Sequence, residues 1–86
     1  MHPEQPWSDE TLNEQLYIVR NYIKRGRYDH DFIKKNFLEA IYHVPCNVDL
    51  LIESANYLST REEFNDAEAL YRRVLEINPV HEYAIR

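Results

Sequence analysis

The sequence predicts an all-α protein of tandem antiparallel helix hairpins, a fragment of an α–α solenoid. Three observations carry that expectation. Apolar residues recur at three- and four-residue spacing through four successive segments, and none alternates as a half-buried strand would. Helix-stopping residues end three of those segments, with Gly26 after the first, Pro45 after the second and Pro79 after the fourth. The chain also repeats itself, since Phe37, Ala40, Ile41 and Pro45 match Tyr71, Val74, Leu75 and Pro79 at an offset of 34 residues.

The first helix is expected over residues 9–25. Leu12, Leu16, Val19 and Ile23 fall at i, i+4, i+7 and i+11, one face of a 3.6-residue helix, with Asn13, Arg20, Asn21 and Lys24 on the other arc. Ser8 is a good N-cap, and Asp9 and Glu10 lie where the helix dipole favours acids. Trp7 before the cap and Leu12 at the fourth helical position have the spacing of a hydrophobic staple. Lys24 and Arg25 suit the last turn, and Gly26 can take the left-handed terminating conformation.

A second helix over residues 30–44 aligns Ile33, Phe37, Ala40, Ile41 and Val44. Pro45 stops it, lacking an N–H and disfavouring helical geometry at Val44. Asn47 can cap a third helix over residues 48–60, with Leu51, Ala55 and Leu58 inward. The fourth, over residues 64–77, carries Phe64, Ala67, Leu70, Tyr71, Val74, Leu75 and Ile77 until Asn78 and Pro79 end it. Ala67 is expected at its closest crossing, near Ala55. Tyr83, Ala84 and Ile85 start a further helical pattern. The expected organisation is an extension at residues 1–7, hairpins at 8–47 and 48–81, and a truncated helix start at 82–86. Gly26 and Tyr28 match Glu62 and Phe64 at an offset of 36, so the first repeat holds about two extra residues in its turn or second helix.

These residues resemble the tetratricopeptide repeat, a 34-residue helix–turn–helix unit. The likeness rests on Ala67 and Tyr71, with Ile33 and Phe37 in the first copy, on Pro45 and Pro79, and on Gly26 and Tyr28 in the turn. Ile18, Val19 and Tyr22, and Leu51, Ser54, Ala55 and Leu58, stand for a looser first-helix signature that lacks the usual tryptophan. The resemblance implies a non-catalytic adaptor whose first helices line a concave groove for a partner peptide or helix. The implied lining is Leu16, Arg20, Ile23 and Lys24 in the first repeat and Ile52, Asn56 and Ser59 in the second, with Arg20 and Asn56 projecting into one channel. A groove of that composition is expected to take a mixed apolar and acidic segment. The family's carboxylate clamp is not supported, because Leu16 and Arg20 occupy its positions. A small chaperone for a secretion or assembly client is an alternative of the same family.

Composition narrows the function classes. At 86 residues the chain allows one small domain with a modest core. No apolar run exceeds the four residues from Leu16 to Val19, so none spans a membrane. No secretory signal is legible, and a lone Cys46 fits a reducing compartment, so the expected location is cytoplasmic. The net charge of −5 concentrates in residues 44–86, with four bases against eight acids, which disfavours nucleic acid as a partner. One glycine cannot build a phosphate loop or a dinucleotide cradle, and no nucleophile motif exists; no enzyme, cofactor or metal is expected. His43 and Cys46 have ligand spacing without the further ligands zinc needs. The aromatics Tyr17, Tyr22, Tyr42, Tyr57 and Tyr83 read as hairpin packing and rim. The basic run Arg20, Lys24, Arg25, Arg27, Lys34 and Lys35 reads chiefly as cations at a helix end, and secondarily as an acceptor for an acidic peptide.

On a helical wheel the apolar arc of the fourth helix spans about 160°, wider than the roughly 100° of a surface helix. Leu70, Val74 and Ile77 are therefore expected to form an open apolar face. Downstream sequence, a partner or a second copy would cover it, and a homodimer through that face is the favoured expectation.

Overall fold

A computed structural model of the chain describes residues 7–27 and 29–79. These form four α-helices: α1 (Asp9–Lys24), α2 (His30–His43), α3 (Val48–Thr60) and α4 (Phe64–Ile77), with no strand among the described residues. The all-α reading holds, and the bounds agree with the sequence to within one residue. The chain divides into two compact units, Met1–Pro45 and Cys46–Arg86. In the first, α1 packs on α2; in the second, α3 packs on α4. The extension before Trp7, the turn aromatic Tyr28 and the pattern at Tyr83 to Ile85 lie outside the described residues.

In the first unit, Ser8 caps α1 by accepting from the Thr11 amide at 3.1 Å, satisfying one orphan donor of the first turn. The core takes Leu12, Leu16 and Val19 from α1 and Ile33, Phe37, Ala40 and Ile41 from α2. Burying each large side chain is worth about 1.5–3 kcal/mol. Helix α1 ends in a Schellman motif: the Arg27 amide donates to the Tyr22 carbonyl at 2.8 Å and the Gly26 amide to that of Ile23 at 3.1 Å. This geometry needs a left-handed residue, and Gly26 has φ +73°. Asp29 caps α2 through a long bond from the Phe32 amide, 3.4 Å. The Trp7 ring stacks on His43 at the far end of α2, 4.3 Å between centroids and 14° from parallel.

In the second unit, Asn47 caps α3 by accepting from the Leu50 amide at 3.0 Å. Seven residues of α3 are buried, Ser54 included, against three of α1. The same terminating motif recurs, with the Glu63 amide on the Leu58 carbonyl at 2.9 Å and the Glu62 amide on that of Ser59 at 3.0 Å. The left-handed position is now filled by Glu62, at φ +64°. Glu63 both completes this motif and opens α4, for which it provides no side-chain cap. Helices α2 and α4 are each 14 residues long and begin 34 residues apart. The two extra residues of the first repeat therefore fall between Gly26 and His30, where the second repeat has Glu63 alone.

The open face expected on α4 is not there. Leu70 is 7% exposed and Val74 0%, so both belong to the core, while Ile77 alone is exposed. The reason is the true width of the buried stripe. Ala67, Leu70 and Val74 follow i, i+3, i+7, the ordinary arc of a half-covered helix, with Tyr71 and Leu75 half-buried beside it. Phe64 sits at the helix start and is exposed. The chain itself closes the arc that looked too wide.

Candidate protein-binding surfaces

On α1, Arg20, Ile23 and Lys24 lie at i, i+3 and i+4 and so share one strip. Arg20 and Ile23 are half-buried and Lys24 is exposed. The guanidinium of Arg20 donates to Asn13 Oδ1 at 2.9 Å, two turns back on the same face, which fixes its direction. Leu16 does not belong to this strip. At 1% exposure it is core, because it lies in line with Leu12 and Val19, the stripe that α1 buries.

On α3 the residues named from sequence meet different fates. Ile52 is buried, so it serves packing and offers a partner almost nothing. Asn56 is exposed, but its side-chain oxygen accepts from the Tyr71 hydroxyl of α4, tying the two helices together. Ser59 is half-buried. Arg20 and Asn56 thus occupy equivalent positions with different bonding, one held along its own helix and the other across its hairpin.

The basic run belongs to the first unit, and its turn end is built around a ring. The Arg27 guanidinium lies over Tyr22, 4.5 Å from the centroid, a cation–π contact. Tyr22 in turn tilts against Phe32 at 5.3 Å. Lys24 and Arg25 stand at the negative end of the α1 dipole. His43 spends its ring on Trp7 and, edge-on, on Tyr42, and Cys46 is exposed. Among the described residues no group of three or more His, Cys, Asp or Glu is placed to hold a metal ion, and no helix is long and apolar enough to cross a membrane.

Sequence reasoning missed one surface. Tyr17 is 67% exposed and Ile18 53%, on a face of α1 away from its core stripe. Tyr17 borders two shallow depressions, one of about 400 Å³ with Asn13 and Glu14, the other of about 240 Å³ reaching along Ile18 and Tyr22 to Arg25 and Arg27. The signal was present in the run Leu16 to Val19. Four consecutive apolar residues turn through 300° on a helix at about 100° each, so one face cannot bury them all.

Compared with known protein families, with curated proteins and with solved structures, the chain matches none.

Proposed function

We propose that this protein is a non-catalytic, cytoplasmic binding module of tetratricopeptide type that captures a short acidic and apolar segment of a partner protein. The observation that carries the reading is the α1 strip. A guanidinium oriented by Asn13 stands beside a half-buried Ile23 and an exposed Lys24, an arrangement that offers a carboxylate a directed donor and an apolar neighbour a dry contact. The helix-hairpin plan, repeated twice, supports the assignment to the repeat class. The lack of any phosphate loop or nucleophile motif in the sequence supports a binding role.

An array of peptides of about 12 residues, three helical turns, mixing acidic and apolar positions, provides the probe. The best binder is then titrated against wild type and Arg20→Ala. Losing a charge-assisted bond costs about 1.5–3 kcal/mol, so affinity is expected to fall tenfold or more with unchanged helicity. Equal affinities for the two proteins would count against the strip as the binding surface.

A further inference from the structure

We infer that the outer stripe of α1 is a self-association face, on which two copies of this chain pack α1 against α1 in antiparallel register. The two depressions that meet at Tyr17 run nearly the whole length of α1, from Asn13 to Arg25. That stretch is 13 residues, 12 helical steps and about 18 Å. Within it, Glu14, Ile18, Asn21 and Arg25 follow i, i+4, i+7 and i+11, the spacing of a two-helix seam.

The stripe is complementary to itself. Its amino end carries Glu14 and its carboxyl end Arg25, so a parallel neighbour of the same kind meets like charge at both ends. Reversed about a two-fold axis between Val19 and Arg20, the stripe places Glu14 of each copy opposite Arg25 of the other. The same operation sets Ile18 opposite Asn21. Every pairing shares one centre, which is what an isologous contact requires. One of the two amide hydrogens of Asn21 is already bonded, its nitrogen donating to the Tyr17 carbonyl at 2.9 Å.

The chain's own repeat supplies a second argument. At the offset of 36 residues that superposes the two terminating motifs, Ile18, Asn21 and Tyr22 correspond to Ser54, Tyr57 and Leu58 of α3, all three buried. On α1 the same positions are covered less: Ile18 is exposed, and Asn21 and Tyr22 are half-buried. The occupant is a second copy because the charge pattern, acid at one end and base at the other, is met by the same stripe reversed. One three-turn helix pair buries less than the roughly 1,200 Å² of a standard stable interface, so the expected dissociation constant is about 10–100 µM.

Sedimentation equilibrium of the full chain from about 1 µM to about 1 mM tests this. The wild type is expected to pass from monomer to dimer across that range. Ile18→Asp, at an exposed position, is expected to stay monomeric with an unchanged circular dichroism spectrum. Glu14→Arg and Arg25→Glu are each expected to weaken the dimer at least tenfold, since each sets like charges opposite one another. An equimolar mixture of these two variants is expected to recover association, because both cross-pairs become attractive. A wild type monomeric at about 1 mM, an Ile18→Asp dimer as strong as wild type, or a mixture that fails to recover would each overturn the proposal. None of these variants touches Arg20, Ile23 or Lys24, so peptide capture is read out separately.

Discussion

The two hairpins close their first helices with the same pair of backbone bonds, yet they solve packing and turn geometry in opposite ways. The first has a glycine at the left-handed position and a turn longer by two residues, and its helices meet through larger side chains, Val19 and Ile33 among them. The second has alanine at both corresponding positions, Ala55 and Ala67, each buried, and its helices run together more closely along their length. A methyl group permits an interaxial distance that a branched side chain does not, because the side chains at the contact set the 8–10 Å separation of packed helices. The second hairpin also carries a conformational penalty that the first avoids. Glu62 sits in the left-handed region, which costs a non-glycine residue about 1–2 kcal/mol. Tight packing and a strained turn coexist there; looser packing and a relaxed turn coexist in the first hairpin.

The largest expected effect comes from filling the tighter hairpin. Ala67→Leu adds three carbons at a fully packed position of α4, and overpacking of that kind costs about 1–3 kcal/mol. For a chain of this size 1 kcal/mol corresponds to roughly 4–8 °C in Tm, so calorimetry is expected to show a melting point lower by about 5–20 °C. The volume-conserving Ile33→Leu at the matching site of the first hairpin is expected to cost under about 1.5 kcal/mol. Equal shifts for the two variants would mean that the hairpins do not differ in packing.

A smaller effect, of both signs, is expected from exchanging the turn residues. Glu62→Gly relieves the left-handed strain and gives back part of the gain through a freer unfolded chain, leaving about 0.5–1 kcal/mol of stabilisation. Gly26→Ala is expected to destabilise by a similar amount. A Cβ built on Gly26 meets nothing within 4 Å, so that cost is purely one of backbone conformation. Urea denaturation of the two variants checks the pair, and two changes of the same sign would contradict the shared turn geometry.

What the sequence made legible follows the strength of each local signal. Most helix boundaries were legible because their stops are chemical: Gly26 and Pro45 break the chain by conformation, and Ser8 and Asn47 cap through side-chain oxygens, whereas the break between α3 and α4 holds neither glycine nor proline and no side-chain cap. The repeat offset also exposed Glu62 as the counterpart of Gly26, though only the structure shows that both hold the same positive φ. The surfaces were less legible. Helical spacing places Leu16, Leu70 and Val74 on a face without saying whether a neighbour covers it, and in each case one does. The hydroxyl bond between Tyr71 and Asn56 spans 15 residues of sequence and has no local signature. The exposed Tyr17 and Ile18 were hidden by their apolar character, since hydrophobic residues are read as core until geometry says otherwise.

Native-state hydrogen exchange tests the contrast between the hairpins most directly, because it reports local opening free energies one amide at a time. The expected pattern has the amides of Ala55, Tyr57 and Leu58 in α3 exchanging more slowly than those of Val19, Asn21 and Tyr22 at the equivalent positions of α1. Glu62→Gly is expected to slow α3 further and leave α1 unchanged. Equal protection in the two helices, or slower exchange in α1, would contradict the claim that the second hairpin is the more tightly packed.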